Sequence, residues 1–265
     1  MPLALPDFLD TLGAQYRRDV ALGLTRPLPA GVVTEADLAP LPPILQTFLR
    51  RAGVVGQPRV GRFRTRFEGE MRVGHGGRWM PVRAVQHTFL KPPARYFLLD
   101  ATLFGLPLRV LHRMVGAAAT MRVKVLSLFT VVDAKGPEMD QSEAVTFFND
   151  LCLLAPGALL EVPVRWEQTG PATALGHYSH GGGTVTATLT FSPEGDLTGF
   201  TSGDRYQSAD GRHFARYPWS TPAREHRLYG DLRLPSAGDA VWHEPDGEFL
   251  YARFRFTEIV PNPLP

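Results

Sequence analysis

A repeated alternation of apolar and polar side chains, with a period of two, most constrains what this chain can fold into. In residues 62–73 the odd positions are mostly apolar and the even positions are charged, and in Thr184–Phe191 four threonines alternate with apolar residues. Successive side chains of a β-strand point to opposite faces, so each run is typical of a half-buried strand. The same reasoning predicts strands at 78–90, 94–103, 107–115, 120–133, 160–168, 172–179, 196–207, 213–217, 224–229, 240–244 and 248–260. The run 120–133 is nearly all apolar, which favours a central position in the sheet.

Short turns separate these strands. The chain has 26 glycines and 24 prolines, and His75-Gly76-Gly77, Asp210-Gly211 and Asp246-Gly247 supply turn chemistry between strands. Parallel strands need crossovers of a dozen residues or more, so these connections predict antiparallel pairing. Long helical bundles are excluded.

Helical spacing of apolar residues occurs in three places. Residues 139–155 place apolar side chains on one arc of a helix that Pro156 ends. An amphipathic helix is predicted at 7–22, followed by a Pro-rich connector over 23–43 and a short helix at 43–52.

We therefore predict an α+β, mainly β fold with two regions. Residues 1–40 form an amino-terminal helical extension with its connector, and residues 41–262 form one domain. In that domain a strongly curved antiparallel sheet, or partly open barrel, of about a dozen strands packs around one central helix.

Charge and cysteine content exclude several classes of function. The net charge is +2 with no basic block, so nucleic acid is a poor partner. Cys152 is the one cysteine, which excludes an internal disulfide, and its place on the apolar arc predicts a buried, inert thiol. No signal peptide and no membrane span are predicted, and a cytoplasmic location is expected. The phosphate-binding and dinucleotide fingerprints are missing, so no cofactor is expected, and no metal cluster is predicted.

His180-Gly181-Gly182-Gly183 resembles the oxyanion-hole tetrapeptide of esterases. No serine lies in the Gly-x-Ser-x-Gly context that such chemistry needs, so a hairpin turn is the better interpretation. His177 and His180 are expected to flank this turn, exposed to water, rather than to bind a metal.

Eight polar or aromatic residues remain as candidates for a site. Paired carboxylates can perform acid–base chemistry and an arginine can hold an anion; the opposing interpretation pairs Glu143 and Asp150 with surface arginines. Trp219-Ser220-Thr221-Pro222 is expected to be a loop that contributes an aromatic ring and hydroxyls. The candidates are His112, Glu143, Asn149, Asp150, Asp204, Arg205, Trp219 and Ser220.

Several short segments carry a resemblance to a family of bacterial proteins of unknown function. They occur in order and at matching spacing over about residues 41–262, which supports one module there. No activity, and so no catalytic residue, comes with the resemblance. The segments are Leu103-Phe104-Gly105-Leu106-Pro107 with His112, Gln141-Ser142-Glu143, Phe148-Asn149-Asp150-Leu151-Cys152, Ala155-Pro156, Asp204-Arg205-Tyr206, Trp219-Ser220-Thr221-Pro222 and Ala240-Val241-Trp242.

Three functions stay open at this point. The first is binding of a hydrophobic or amphipathic, lipid-like small molecule on the concave side of the sheet, with Arg205, Glu143 or Trp219 orienting a head group. The second is a metal-independent hydrolase or isomerase that uses Glu143 and Asp150 with His112. The third is a protein–protein interaction module, including a homo-oligomer formed through the first helix.

Overall fold

The computed structural model describes residues 11–265, and one antiparallel sheet dominates that part of the chain. Thirteen of its fifteen strands form this sheet, and β11 and β12 form a separate hairpin. The strands are β1 (Arg62–Met71), β2 (Met80–Phe89), β3 (Ala94–Leu103), β4 (Leu106–Val115), β5 (Ala118–Val125), β6 (Phe129–Lys135), β7 (Val164–Gly170), β8 (Thr173–His180), β9 (Gly183–Phe191), β10 (Leu197–Ser202), β11 (Tyr206–Gln207), β12 (Ala215–Arg216), β13 (Trp219–Tyr229), β14 (Leu232–Glu244) and β15 (Gly247–Pro261).

The sheet consists of two meanders that join along β1 and β15. Its order is β6-β5-β4-β3-β2-β1-β15-β14-β13-β10-β9-β8-β7, so β6 and β7 are its two edges and are not paired with each other. The predicted curved antiparallel sheet of about a dozen strands is confirmed, and among the described residues the sheet stays open.

Helix α4 (Pro137–Leu154) connects the two edges and lies on the concave side of the sheet. It packs against β5 and β6 of one meander and against β9, β10 and β14 of the other. Phe147 and Phe148 are completely buried. Proline starts the helix, and a short 3-10 helix (Pro156–Leu160) follows it. The predicted central helix is confirmed.

Helix α1 (Thr11–Leu24) covers the outer face of the same sheet. Leu12, Tyr16 and Val20 are buried against a second apolar cluster that includes Phe89 and Leu111. The predicted start at residue 7 lies outside the described residues. Two further helices, α2 (Glu35–Leu38) and α3 (Pro43–Arg51), follow before β1. Within residues 11–265, no helix combines the length and apolar character needed to cross a membrane.

The predicted central strand 120–133 is wrong. The segment divides into β5 and β6, and β6 is an edge of the sheet. Leu126 and Ser127 adopt positive φ values of 54° and 59° in the turn between them. Some apolar residues of this run face the interior of the sheet, and others lie at an exposed hairpin end. The period of the sequence pattern does not distinguish these two situations.

The expected loop Trp219–Pro222 is also wrong, because these residues begin β13. The β13–β14 pairing is interrupted at Thr221 and Pro222, where proline offers no N–H. Other boundaries moved as well: 196–207 divides into β10 and β11, 240–244 is the end of the longer β14, and residues 156–160 are a 3-10 helix ahead of β7.

Candidate functional site

A cavity of about 930 Å³ lies between the concave face of the sheet and α4. One apolar wall of the cavity is formed by inward side chains of three neighbouring strands, and β14, β15, α4 and the segment 203–218 supply much of the remaining lining. Because alternate residues of a strand share a face, the predicted alternation builds this apolar wall directly. The inward residues of these strands are Phe97, Leu99 and Ala101 from β3, Leu108 and Val110 from β4, and Met121 and Val123 from β5.

The cavity opens at the end of the sheet where the β1–β2 turn lies. Residues Arg72–His75 of that turn line it, as do several residues of the segment 203–218 between β10 and β13. Gly211 of this segment has a φ of +73°, and a Cβ there would lie 2.8 Å from Val132 of β6. The segment 203–218 therefore closes on the edge strand of the other meander.

The two meanders also meet at the β8–β9 turn. His180 Nε2 donates to the carbonyl oxygen of Gly116 at 3.0 Å, which joins the β8–β9 turn to the β4–β5 turn. The predicted hairpin turn at 180–183 is confirmed, with Gly181 and Gly182 at positive φ. The expectation that His177 and His180 are exposed is wrong: both are half-buried, and the ring of His180 stacks on Tyr178.

A buried polar cluster centred on Arg95 forms part of the cavity wall. Its guanidinium donates to Glu143 at 2.6 Å, to Asp150 at 2.6 Å and to the side-chain oxygen of Gln86 at 2.8 Å. Gln86 also donates to Asp150 at 2.8 Å. The opposing interpretation, in which surface arginines pair with the two carboxylates, is wrong because the side chains of Arg95, Glu143 and Asp150 are 6%, 1% and 8% exposed.

Burial and charge act in opposite directions on the two carboxylates of this cluster. Burial raises the pKa of Asp150, and Arg95 opposes the shift without cancelling it. For Glu143, burial also opposes ionisation, but Arg95 and His112 outweigh it and hold the pKa below its usual range. Glu143 is therefore the carboxylate that stays ionised opposite Arg95.

His112 lies on β4 next to this cluster and lines the cavity. Its Nδ1 is 3.5 Å from Glu143 Oε2, and neither of these buried atoms has a hydrogen-bond partner within residues 11–265. His112, Glu143 and Asp150 thus converge on one wall, as the enzyme hypothesis requires.

Arg205 is the second arginine of the cavity, and its surroundings differ from those of Arg95. Its guanidinium lies 4.2 Å from the ring centre of Trp219 and 5.0 Å from that of Trp242. It donates to the hydroxyls of Thr146 and Tyr251, both at 3.3 Å. Within residues 11–265 its contacts are aromatic rings and neutral hydroxyls, and no carboxylate forms a salt bridge with it, although its charge also helps to lower the pKa of Glu143.

The other sequence candidates divide between the cavity and its surroundings. Asn149 lines the cavity and accepts a hydrogen bond from Thr221 Oγ1 at 2.5 Å. Asp204 lies outside the lining, where it accepts from the Thr186 N–H at 2.7 Å and pairs with Arg216. Ser220 Oγ lies 2.8 Å from His243 Nε2.

Sequence reasoning missed Arg95, Gln86 and Tyr251. A signal for Arg95 was present, because alternation puts it on the same face of β3 as Phe97, Leu99 and Ala101. A charge at an inward position needs a buried partner. The predicted burial of Cys152 is confirmed, and this burial raises the pKa of its thiol.

A family model described as "Family of unknown function (DUF6544)" matches residues 31–254. The chain belongs to this family. The resemblance found in the sequence is confirmed, although the family match begins and ends earlier than 41–262. No curated protein matches the chain.

Two solved structures are similar to this member of DUF6544. One is a DUF1329 family protein from Desulfovibrio piger, at 10% identity, 82% coverage of this chain, 91% coverage of that chain and a TM-score of 0.39. The other is a LolA superfamily protein from Nitrosomonas europaea, at 10% identity, 83% and 94% coverage, and a TM-score of 0.38. Neither similarity identifies a ligand or a reaction.

Proposed function

We propose that this protein binds an amphipathic small molecule, with an apolar chain and an anionic head group, in the cavity beneath the curved sheet. The observation that carries the proposal is an apolar cavity of about 930 Å³ lined by Arg205, with which no carboxylate of the described residues forms a salt bridge. The volume falls within the range of about 300–1,000 Å³ that is typical of small-molecule sites.

The apolar wall supplies the affinity for the chain of such a ligand. Burial of each methylene group contributes about 0.8 kcal/mol, which corresponds to about a fourfold change in dissociation constant. Affinity should therefore rise with chain length until the cavity is full.

Arg205 supplies the preference for an anionic head group. Trp219 and Trp242 fix the plane of its guanidinium, and its two hydroxyl partners leave its charge available. Arg95 cannot take this role, because Glu143 and Asp150 already bind it. A hydrogen bond to a charged group contributes about 1.5–3 kcal/mol, or about 10- to 150-fold in affinity.

A catalytic function is less well supported. His112, Glu143 and Asp150 do converge, but both carboxylates accept hydrogen bonds from Arg95 in a buried ion-pair cluster. A general base needs a lone pair directed at the substrate. Asp150 Oδ2 accepts from both Arg95 and Gln86, and Glu143 Oε2, which lacks a hydrogen-bond partner within the described residues, is covered by His112 at 3.5 Å.

The interaction module and the cytoplasmic location stay predictions. Leu12, Tyr16 and Val20 of α1 pack against the protein's own sheet. A second copy would have to contact other residues of this region, such as Leu22 and Val32, which are 65% and 51% exposed.

The test compares displacement of a fluorescent fatty-acid analogue by dodecanoate and by dodecanol. The wild-type protein should bind dodecanoate at least about tenfold more tightly than dodecanol, and Arg205→Met should bind the two equally. Arg216→Met is the matched control, since Arg216 is in the same segment but pairs with Asp204 outside the cavity lining. It should keep the wild-type preference.

Two results would contradict the proposal. Equal affinity of the wild-type protein for the acid and the alcohol would show that Arg205 does not select an anionic head group. Failure of the fluorescent analogue to bind, together with a bare-chain mass by native mass spectrometry, would remove the ligand cavity itself.

A further inference from the structure

Large apolar side chains are exposed at the tips of two hairpins, β3–β4 and β5–β6. Phe104 is 81% exposed, Phe129 64% and Leu128 59%. Gly, Asn, Asp and Ser are the usual residues of such turns. We call the set the hairpin-tip patch; it comprises Phe104, Leu106, Leu126, Leu128, Phe129 and Val131.

The two tips lie side by side. β4 pairs with β5, with Leu108 opposite Val125, and the Leu126 N–H donates to the carbonyl oxygen of Pro107 at 2.9 Å. Adjacent strands are about 4.8 Å apart, so the midlines of the two hairpins are about 10 Å apart. Six large apolar side chains therefore share one projecting end of the sheet, and contiguous exposed patches of this kind mark interaction sites.

The hairpin-tip patch borders the mouth of the cavity. Val131 belongs to the patch and also lines the cavity. Its neighbour Val132 contacts the segment 203–218 at Gly211, and that segment lines the mouth. An apolar surface thus continues from the cavity to the outside at this end.

The chain segment that carries both tips contains basic residues and no acidic ones. No Asp or Glu occurs between Asp100 and Asp133, while Arg109, Arg113, Arg122 and Lys124 all lie in that interval. Arg109 pairs with Asp100 at 2.6 Å and Arg113 with Asp19 at 2.7 Å. Arg122 and Lys124 donate instead to the neutral side chains of Gln15 and Thr11. Asp210 and Arg212 lie near Val131 at one margin of the patch, and Asp210 also pairs with His213.

We propose that the hairpin-tip patch docks on a lipid bilayer that contains anionic head groups, with the mouth of the cavity towards the bilayer. Apolar tips enter the interface, while Arg122 and Lys124 behind them, whose described partners are neutral, meet the lipid phosphates. Two narrow projecting tips with neighbouring cations fit a fluid interface better than a shaped protein surface. Membrane docking is a proposal separate from ligand binding. Only the idea that the docked protein exchanges its ligand with the bilayer rests on the proposed function.

The test is co-sedimentation with vesicles of phosphatidylcholine alone and of phosphatidylcholine with about 30% phosphatidylglycerol. The wild-type protein should bind the mixed vesicles more tightly than the neutral ones. Raising the salt from about 0.1 M to about 1 M shortens the screening length from about 10 Å to about 3 Å and should reduce the difference.

Variants separate the patch from general apolar exposure. Phe104→Ser with Phe129→Ser should lower binding to the mixed vesicles at least about tenfold. The matched control is Leu22→Ser with Leu228→Ser, because these residues are 65% and 67% exposed and lie outside the patch. It should bind within about twofold of the wild-type protein. Leu128→Ser is a milder change at the same tips, and it should also lower binding to the mixed vesicles. Thermal melts check that each variant is folded.

Absence of vesicle binding, or equal losses in the patch and control variants, would overturn the proposal and turn attention to a protein partner. Binding of the fluorescent fatty-acid analogue without vesicles is measured in parallel. Binding to vesicles without binding of the analogue would refute the proposed function and leave the docking surface standing. Binding of the analogue without binding to vesicles would refute the docking surface and leave the proposed function standing.

Discussion

The guanidinium of Arg95 balances the charge in the interior of the sheet. Glu143 and Asp150 are seven residues apart on α4, which is about two helical turns, so they lie on one face and Arg95 reaches both. Removing one member of a buried ion pair leaves an uncompensated charge, which is more costly than losing the pair as a whole.

Arg95→Met should lower the free energy of unfolding by about 3–5 kcal/mol, measured by urea denaturation at pH 7. Arg83→Met on the neighbouring strand is the control, because that side chain is 75% exposed and lies 3.4 Å from Glu68. It should change the free energy of unfolding by less than about 1 kcal/mol.

Adding Glu143→Gln and Asp150→Asn to Arg95→Met should restore part of the lost stability, since the interior then holds no unpaired charge. Equal stabilities of Arg95→Met and Arg83→Met would show that the buried cluster is not an ion-pair network.

At the scale of elements, α1 is attached to the sheet through a histidine that burial keeps neutral. Tyr16 Oη lies 2.7 Å from His87 Nδ1, and Asp19 pairs with Arg113 at 2.7 Å. Burial and the charges of Arg64, Arg66 and Arg62 lower the pKa of His87 to about 4. The periodicity of this segment predicted an amphipathic helix, but not that its Tyr16 would contact a buried histidine of the sheet.

This depressed pKa predicts loss of stability in acid. Between pH 6.5 and pH 4 the unfolded chain binds a proton that the folded chain does not, so stability falls as the pH falls through this window. From pH 7 to pH 5 the contribution of His87 is about 2 kcal/mol. The free energy of unfolding is measured by urea titration at pH 7 and at pH 5. Its decrease between these pH values should be about 2 kcal/mol smaller in His87→Gln than in the wild-type protein. The same pH dependence in both proteins would contradict the assignment.

The β5–β6 hairpin shows why an element's position is harder to predict than its type. Its apolar residues are typical of a strand, and two strands are indeed present. Whether an apolar strand is central or at an edge depends on what pairs with it, and β6 pairs with β5 alone among the described strands.

For the molecule as a whole, the curved sheet wraps around one helix without closing into a barrel, and the space left between sheet and helix can hold a ligand. The two edges β6 and β7 are unpaired with each other, and α4 together with the segment 203–218 occupies the gap between the meanders. The free energy of the folded state should then depend on occupancy of the cavity.

Dodecanoate at about 100 times its dissociation constant should stabilise the protein by about 2.7 kcal/mol and raise the Tm by about 5–10 °C. Ala101→Phe places a ring in the cavity and should abolish the shift, as measured by calorimetry. Thr102→Phe, at the neighbouring exposed position, should keep it. A full shift in Ala101→Phe would place the ligand elsewhere.

The sequence by itself determined the strand class, the hairpin connections and the central helix. These follow from local causes: a period of two in Thr184–Phe191, glycine turns such as Gly181-Gly182, and the prolines that bound α4. It also identified Glu143, Asp150 and Arg205 as candidates, because paired carboxylates can perform acid–base chemistry and an arginine can hold an anion. Only the tertiary structure decided what each of them meets. Arg95 and Glu143, like Arg205 and Tyr251, are dozens of residues apart. Strand order and sheet curvature, which no local pattern encodes, bring them into contact.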